Sequence, residues 1–287
     1  MLKSREYTPN HGDVLYHYCT AETLHAIVTN KTLRFSDLFS MNDYMELSWG
    51  HSLWEKMTDE LVSEFGEKLI HDISLMLQGS RLHAHPLVTC FSKSRDVLSQ
   101  WRAYAQDGTG YAIGFDAETL YSKLPARTLR VSYNEEEQRA EIRRLVSGVH
   151  HVEQGPDERD QMGFTLICTH LAFDLAAFKN PAFSEEDEVR LVHLAKIVHG
   201  EGWPTMTTTD LLDEHRRYAE TGIKFHIRGN TPVPHIDMRF CLPEEIKGIS
   251  QLIIGPKNAS ETLAVGTFMA SHGFPNVEIS RSVASYR

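Results

Sequence analysis

His17 lies between two tyrosines in residues 13–20, DVLYHYCT, whose β-branched and aromatic residues have the composition of a strand. Strand alternation turns it to the face opposite Tyr16 and Tyr18. An imidazole so placed hydrogen-bonds ribose hydroxyls or an amide; its bland role is that of a core histidine satisfied by backbone. Further on, FSEEDEVRLV sets Glu186, Glu188 and Arg190 at alternate positions, so in an extended chain all three project from one face. Two such carboxylates raise each other's proton affinity, and a neighbouring arginine lowers it. The pair can stabilise developing positive charge and activate a nucleophile, or it can be the charged, solvated face of an edge strand. Trp101, Arg102 and Tyr104 precede the turn DGTG, which ends at Gly110. There the backbone can approach a ligand while a ring stacks on a planar group, unless both rings belong to a helix face turned to the core.

Sixteen histidines raise the question of a metal, and His83 with His85 has a spacing that chelates from one strand face. No HExxH, no carboxylate-rich motif and no third ligand at suitable spacing accompanies them, so no catalytic metal is expected. GxxxxGK[ST], GxGxxG after a strand and GxSxG are absent, which removes the commonest nucleotide-hydrolase, dinucleotide and esterase readings.

The elements that must position these groups are legible in outline. Residues 13–20 form a strand, Thr20 opens an amphipathic helix carrying Leu24, Ile27 and Val28, and residues 32–36 return as a short strand. A polar turn follows, with Asn42 and Asp43 as caps. Residues 46–77 have a helical period that Gly66 interrupts. Strands are expected at 86–92, 111–116, 188–193, 224–228, 246–255 and 277–280, with helices at 97–105 and 256–273. Residues 134–170 are charged and helical, broken by a loop at 154–158. One α+β domain over residues 1–287, carrying a helical insertion at about 134–180, accounts for this order.

Composition sets the outer bounds. With 41% hydrophobic and 24% charged residues the chain can bury a core, so wholesale disorder is excluded. A net charge of -10 denies it a broad basic surface and hence general nucleic-acid binding; local grooves at Arg127, Arg130, Arg143 and Arg144, or at Arg216 and Arg217, remain for a phosphate. Cys19, Cys90, Cys168 and Cys241 lack any Cys-x-x-Cys spacing and read as buried, reduced thiols. The polar N-terminus and the lack of a long apolar run point to a cytoplasmic protein without a membrane partner.

Taken in order, LYHYCT, the NDYME turn, CFSKSRDVLSQWRAYAQDGTGYAIGFD, FKNPAFSEEDEVRLV, LIIGP and the terminal SYR resemble a bacterial family known as domain of unknown function 2971. The likeness spans nearly the whole chain and is strongest over residues 90–116 and 178–192. Cys19-Thr20 stands where that family often has Thr then Ser, and Tyr44 where it commonly has Pro; neither departure touches a reactive group.

The opening, a strand with Tyr-His-Tyr, then a helix and a short strand, is in turn similar to the first elements of NAD-using ADP-ribosyltransferases of the His-Tyr-Glu kind. In such folds the histidine binds the adenosine-side ribose and the nicotinamide amide, an aromatic ring stacks on nicotinamide, and a late glutamate stabilises an oxocarbenium-like transition state. The resemblance implies His17, then Tyr104 or Trp101, then Glu188 in those places. Glu186 would orient or deprotonate the nucleophile, and Arg34 or Arg102 would hold the pyrophosphate. Tyr18, Asn42, Gly110 and Arg190 complete the implied cofactor-binding set.

The expected fold class is therefore α+β, a mixed, split β-sheet core with surrounding helices, ADP-ribosyltransferase-like. The expected function is an NAD-using ADP-ribosyltransferase or NAD glycohydrolase, in the setting of a toxin or phage-defence effector. NAD would be its substrate, and its acceptor a protein or nucleic acid reached through a specific site. The alternatives are a non-enzymatic nucleotide-binding sensor or partner-binding module and, third, a metal-dependent hydrolase using His83, His85 and another histidine.

Overall fold

The computed structural model describes residues 5–40, 44–153, 161–175, 177–208, 222–242 and 246–284. Asn42, the loop at 154–158, Arg216, Arg217 and the terminal SYR lie outside these. The described elements run β1 (Val14–Cys19), α1 (Ala21–Asn30), β2 (Thr32–Asp37), α2 (Tyr44–Phe65), α3 (Glu67–Gly79), β3 (Ala84–Ser92), α4 (Leu98–Tyr104), β4 (Tyr111–Asp116), α5 (Ala117–Lys123) and β5 (Arg127–Arg130). They continue with α6 (Glu135–Glu153), α7 (Gln161–Leu175), β6 (Glu188–Val198), β7 (Thr205–Thr208), β8 (Lys224–Arg228), β9 (Thr231–Arg239), β10 (Ile249–Ile254), α8 (Thr262–Ser271) and β11 (Glu278–Arg281).

Local chemistry starts and stops the first elements. The Thr20 hydroxyl accepts from Thr23 N at 3.2 Å, capping α1, and Lys31 in left-handed backbone (φ 60°) ends it and turns the chain into β2. Gly66 divides the long helical stretch of 46–77 into α2 and α3, as its positive φ of 91° requires. Helix α3 buries Leu69, Ile70, Ile73 and Leu77, and α6 buries Ile142, Leu145, Val146 and Val149. Both stripes follow the helical period and meet residues of α2 and α7 in one apolar cluster. The segment from 134 onward thus packs on α2 and α3.

Among the described residues, all eleven strands belong to one sheet, antiparallel except where β10 pairs with β11. The expected α+β class stands in that form: a large, mostly antiparallel open sheet with helices around it. Strand β3 is the spine. One of its edges pairs with β6 along its whole length, from Ala84 opposite Lys196 to Ser92 opposite Glu188. Its other edge is shared: Leu87 and Val88 pair with Asp37 and Ser36 of β2, whereas Ser92 pairs with Tyr16 of β1. Between those two contacts the sheet forks. One wing continues as β1-β4-β10-β11 and the other as β2-β9-β8.

Odd-numbered residues of the spine and its partner, including Leu87, Phe91, Val189 and Leu191, bury in the principal core with α1, α5 and α8. Even-numbered residues face the other way. Val88 and Val192 meet Leu38, Leu129 and Ala177, and beyond them lies a cleft. Among the described residues no helix is long and apolar enough to cross a membrane.

Candidate functional site in the fork of the sheet

The fork opens a cleft of about 350 Å³ between the wings, floored by residues 88–92 of β3. β1 supplies Tyr16, His17 and Tyr18; β2 supplies Arg34; the β6 side supplies Lys179, Glu186, Glu188 and Arg190; and Tyr104, His226 and Arg228 complete the rim. The fold therefore brings His17, Tyr18, Arg34, Tyr104, Glu186, Glu188 and Arg190 of the sequence-derived set into one cavity.

His17 bridges the fork itself. Its Nδ1 lies 2.9 Å from the Cys90 carbonyl oxygen, at the stretch of β3 that neither wing pairs. A carbonyl only accepts, so Nδ1 carries the proton. Burial lowers the imidazole pKa, partly offset by that hydrogen bond, and keeps the ring neutral near pH 7. Nε2 is then a bare lone pair, able to accept from a hydroxyl. Tyr16 and Tyr18 turn to the opposite face, as alternation requires, into a small cluster with Trp101, yet both also reach the cleft wall.

Four buried charged side chains form the other wall. Glu188 receives Arg190 through two hydrogen bonds, Nε to Oε1 at 2.7 Å and Nη2 to Oε2 at 3.0 Å. Lys179 reaches the same carboxylate at 3.4 Å and also pairs with Glu186. Burial by itself would raise the Glu188 pKa, but the Arg190 and Lys179 charges, with hydrogen bonds from Arg190 and the Cys90 thiol, outweigh it and pull the carboxyl down to about 2. Two carboxylates and two cationic side chains make the quartet formally neutral. The Glu188 amide in turn donates to the Tyr133 hydroxyl at 3.1 Å, and burial beside the carboxylate pushes that phenol's pKa up.

The alternating strand face expected for Glu186, Glu188 and Arg190 needs correction. Glu186 ends a short 3-10 helix (Pro181–Glu186), Asp187 turns left-handed at φ 41° and ψ 56°, and the strand begins only at Glu188. Both carboxylates still converge, because Lys179 draws them together from either side of that turn. Lys179 itself was missed by sequence reasoning; the signal was a lysine directly after the apolar Ala177-Phe178 and before the Asn180-Pro181 cap.

Three other expectations fail on position. Trp101 is wholly buried, edge-on to Tyr18, with Nε1 donating to Asp96 at 2.6 Å, so it backs the wall and never faces the cavity. Arg102 is exposed and lines a separate shallow hollow with Ser99, Ala103 and Asp107. Gly110 is a packing residue: a Cβ there would lie 2.2 Å from the Cys19 carbonyl oxygen and 3.0 Å from Ala105 Cα. Gly110→Ala is expected to cost roughly 3 kcal/mol in urea unfolding, since main chain on both sides cannot yield. A loss under about 1 kcal/mol would show the junction to be compliant.

The basic groove around Arg127, Arg130, Arg143 and Arg144 is largely paired. Arg127 meets Asp174, Arg143 meets Glu60 and Glu64, and Arg144 meets Glu141. His83 precedes β3 and His85 lies within it with Nδ1 3.2 Å from Asp37, so the two do not chelate together. Among the described residues no group of three or more His, Cys, Asp or Glu is arranged to hold a metal. Cys90 is half-buried in the cleft floor, unlike the three other thiols.

Two further residues that sequence reasoning missed are His226 and Arg228, delivered by β8. His226 Nδ1 lies 3.2 Å from His235 Nδ1, and burial, then the charges of Arg34 and Arg228, lower its pKa. Arg34 pairs with Asp237 at 3.3 Å. The cleft thus has a neutral, carboxylate-bearing wall on β6 and a cationic end on the β2-β9-β8 wing.

With this geometry in place, comparison with known proteins adds one likeness. The family model described as Protein of unknown function (DUF2971) matches residues 100–191, from α4 into β6. That stretch is similar to the family and holds Tyr104, Lys179, Glu186, Glu188 and Arg190, one wall of the cleft, while His17, Arg34 and β8 fall outside it. No curated protein and no solved structure matches the chain.

Proposed function

We propose that the cleft binds NAD and breaks its nicotinamide–ribose bond, passing the ADP-ribosyl group to a macromolecular acceptor or to water. The observation that carries this is the meeting of His17 and Glu188, far apart in sequence, in one cavity at the fork. The bonding pair leaves with nicotinamide, which departs neutral, and positive charge develops on the ribose. An ionised carboxylate beside it stabilises that charge, and a neutral imidazole with a bare Nε2 accepts from a ribose hydroxyl. Tyr18 and Tyr104 offer rings for the nicotinamide, while Arg34 and Arg228 suit the pyrophosphate. The acceptor's proton passes to Glu186 or to solvent as its new bond to ribose forms. On this reading the forked sheet is ADP-ribosyltransferase-like, and NAD consumption fits a toxin or phage-defence effector.

One observation favours a second reading, a nucleotide sensor without turnover: both Glu188 oxygens are already engaged by cations. Incubation with NAD labelled in the nicotinamide separates the two. Release of free nicotinamide supports the enzyme; saturable NAD binding with none released supports the sensor; neither binding nor release overturns both.

A further inference from the structure

Strand β8 is the last strand of its wing and pairs only with β9 among the described residues. The hairpin closes through Gly229-Asn230, with Arg228 opposite Thr231. In such a two-residue hairpin the closing pair is hydrogen-bonded and the pattern alternates. Arg228, His226 and Lys224 therefore spend their backbone groups on β9, and the N–H and C=O of Phe225 and Ile227 point outward. Pro234 and Pro232 stand opposite Phe225 and Ile227, where β9 owes β8 no N–H.

The two faces of β8 are chemically opposite. Phe225 and Ile227 are 61% and 69% exposed, and Phe225 borders an apolar hollow of about 530 Å³ with Leu82, Ile197, Trp203, Pro204 and Met206; Trp203 is 94% exposed. On the other face His226 and Arg228 line the cleft in the fork. Lys224 and Arg34 stand with them against one carboxylate, Asp237, 3.3 Å from each.

We propose that the open edge of β8 takes an extended peptide as an added strand, one in which acidic and apolar residues alternate. Main-chain bonds to Phe225 and Ile227 give the register. The peptide's apolar side chains then cover the exposed face and its acidic ones meet Lys224 and Arg228, with the side chain opposite His226 held at the cleft mouth. That such a peptide presents the acceptor group rests on the NAD reading; its binding does not.

The test is fluorescence anisotropy of a fluorescein-labelled peptide of alternating Glu and Val, titrated with the full chain in the absence of nucleotide. Saturable binding is expected, weakened at least about tenfold by the double variant Phe225→Lys, Ile227→Lys and by Arg228→Glu, all at exposed positions. The same peptide N-methylated at alternate amides is expected not to bind. Equal binding of the methylated peptide, no effect of the double variant, or no binding by the wild type overturns the proposal. So does a wild-type dimer that the double variant turns into a monomer, which assigns the edge to a second copy. Because no nucleotide is present, failure here leaves nicotinamide release as an independent result.

Discussion

Lys179→Met is expected to lower the free energy of unfolding in urea by roughly 3 to 5 kcal/mol, the usual cost of removing one partner from a buried ionic group. Lys179 is 1% exposed and holds Glu186 and Glu188, both buried. Methionine keeps most of the apolar stem but removes the ammonium that lies 5.0 Å from the Phe183 ring centroid, so Glu186 loses its lysine partner and Glu188 keeps Arg190. The deficit has a pH signature. In the wild type the Glu188 carboxyl falls from 4.5 to about 2 on folding, so its stabilisation is full above the unfolded value and is lost as pH falls through about 2. Without Lys179 the folded value rises, and protonation relieves the uncompensated charge sooner. The deficit against wild type is thus expected to be full at neutral pH and to narrow as pH falls from about 4.5 towards 2. A deficit that stays constant across that acidic range would mean that packing of the stem, not its charge, carries the effect.

Glu188→Gln carries the other large effect. On the NAD reading proposed above, nicotinamide release is expected to fall by about 100- to 1,000-fold while NAD affinity changes little, since an interaction made chiefly in the transition state moves turnover and leaves ground-state binding. The amide also turns donor hydrogens towards Arg190, so a thermal melt must accompany the kinetics. Glu188→Asp keeps the charge but withdraws it by one methylene, and is expected to lose less. Release by the Gln variant within a few-fold of wild type would remove the carboxylate from the chemistry, leaving a role in holding Arg190 and Lys179.

The elements that were legible in sequence are those whose own residues alternate or repeat. β1, β4 and β8 stand where their β-rich runs put them, and α1 is announced by its Thr20 cap. β9 was not anticipated, since Pro232 and Pro234 interrupt its strand pattern; they stand opposite Ile227 and Phe225, at positions that owe no N–H to β8. β5 and β7, RTLR and TMTT, are too short to show a period, and they exist because β6 offers them an edge. Helix α8 begins at Thr262, later than the run after Pro256 suggested, because Lys257 and Asn258 bond back to Gly108, Thr109 and Gly110.

Part of the cleft lining was legible residue by residue, but its architecture was not. His17 and Glu188 carry types that suggest chemistry, yet what joins them is a fork made by two strands competing for one edge of β3, a non-local fact with no sequence period. Trp101 misled for a related reason. Its ring has the size of a stacking platform, but its N–H is spent on Asp96, five residues earlier, and that bond turns it inward.

Asp96 accepts not only from Trp101 but from the Ser282 hydroxyl at 2.6 Å and the Val283 amide at 2.7 Å. The adjoining Ser94 carbonyl and Val97 amide are both tied to the Tyr18 hydroxyl. Residues 282 and 283 are thereby wired to the cleft wall. Replacing Ser282 by alanine removes one of the donors that hold Asp96, so a change far along the sequence is felt at the tyrosine next to the imidazole.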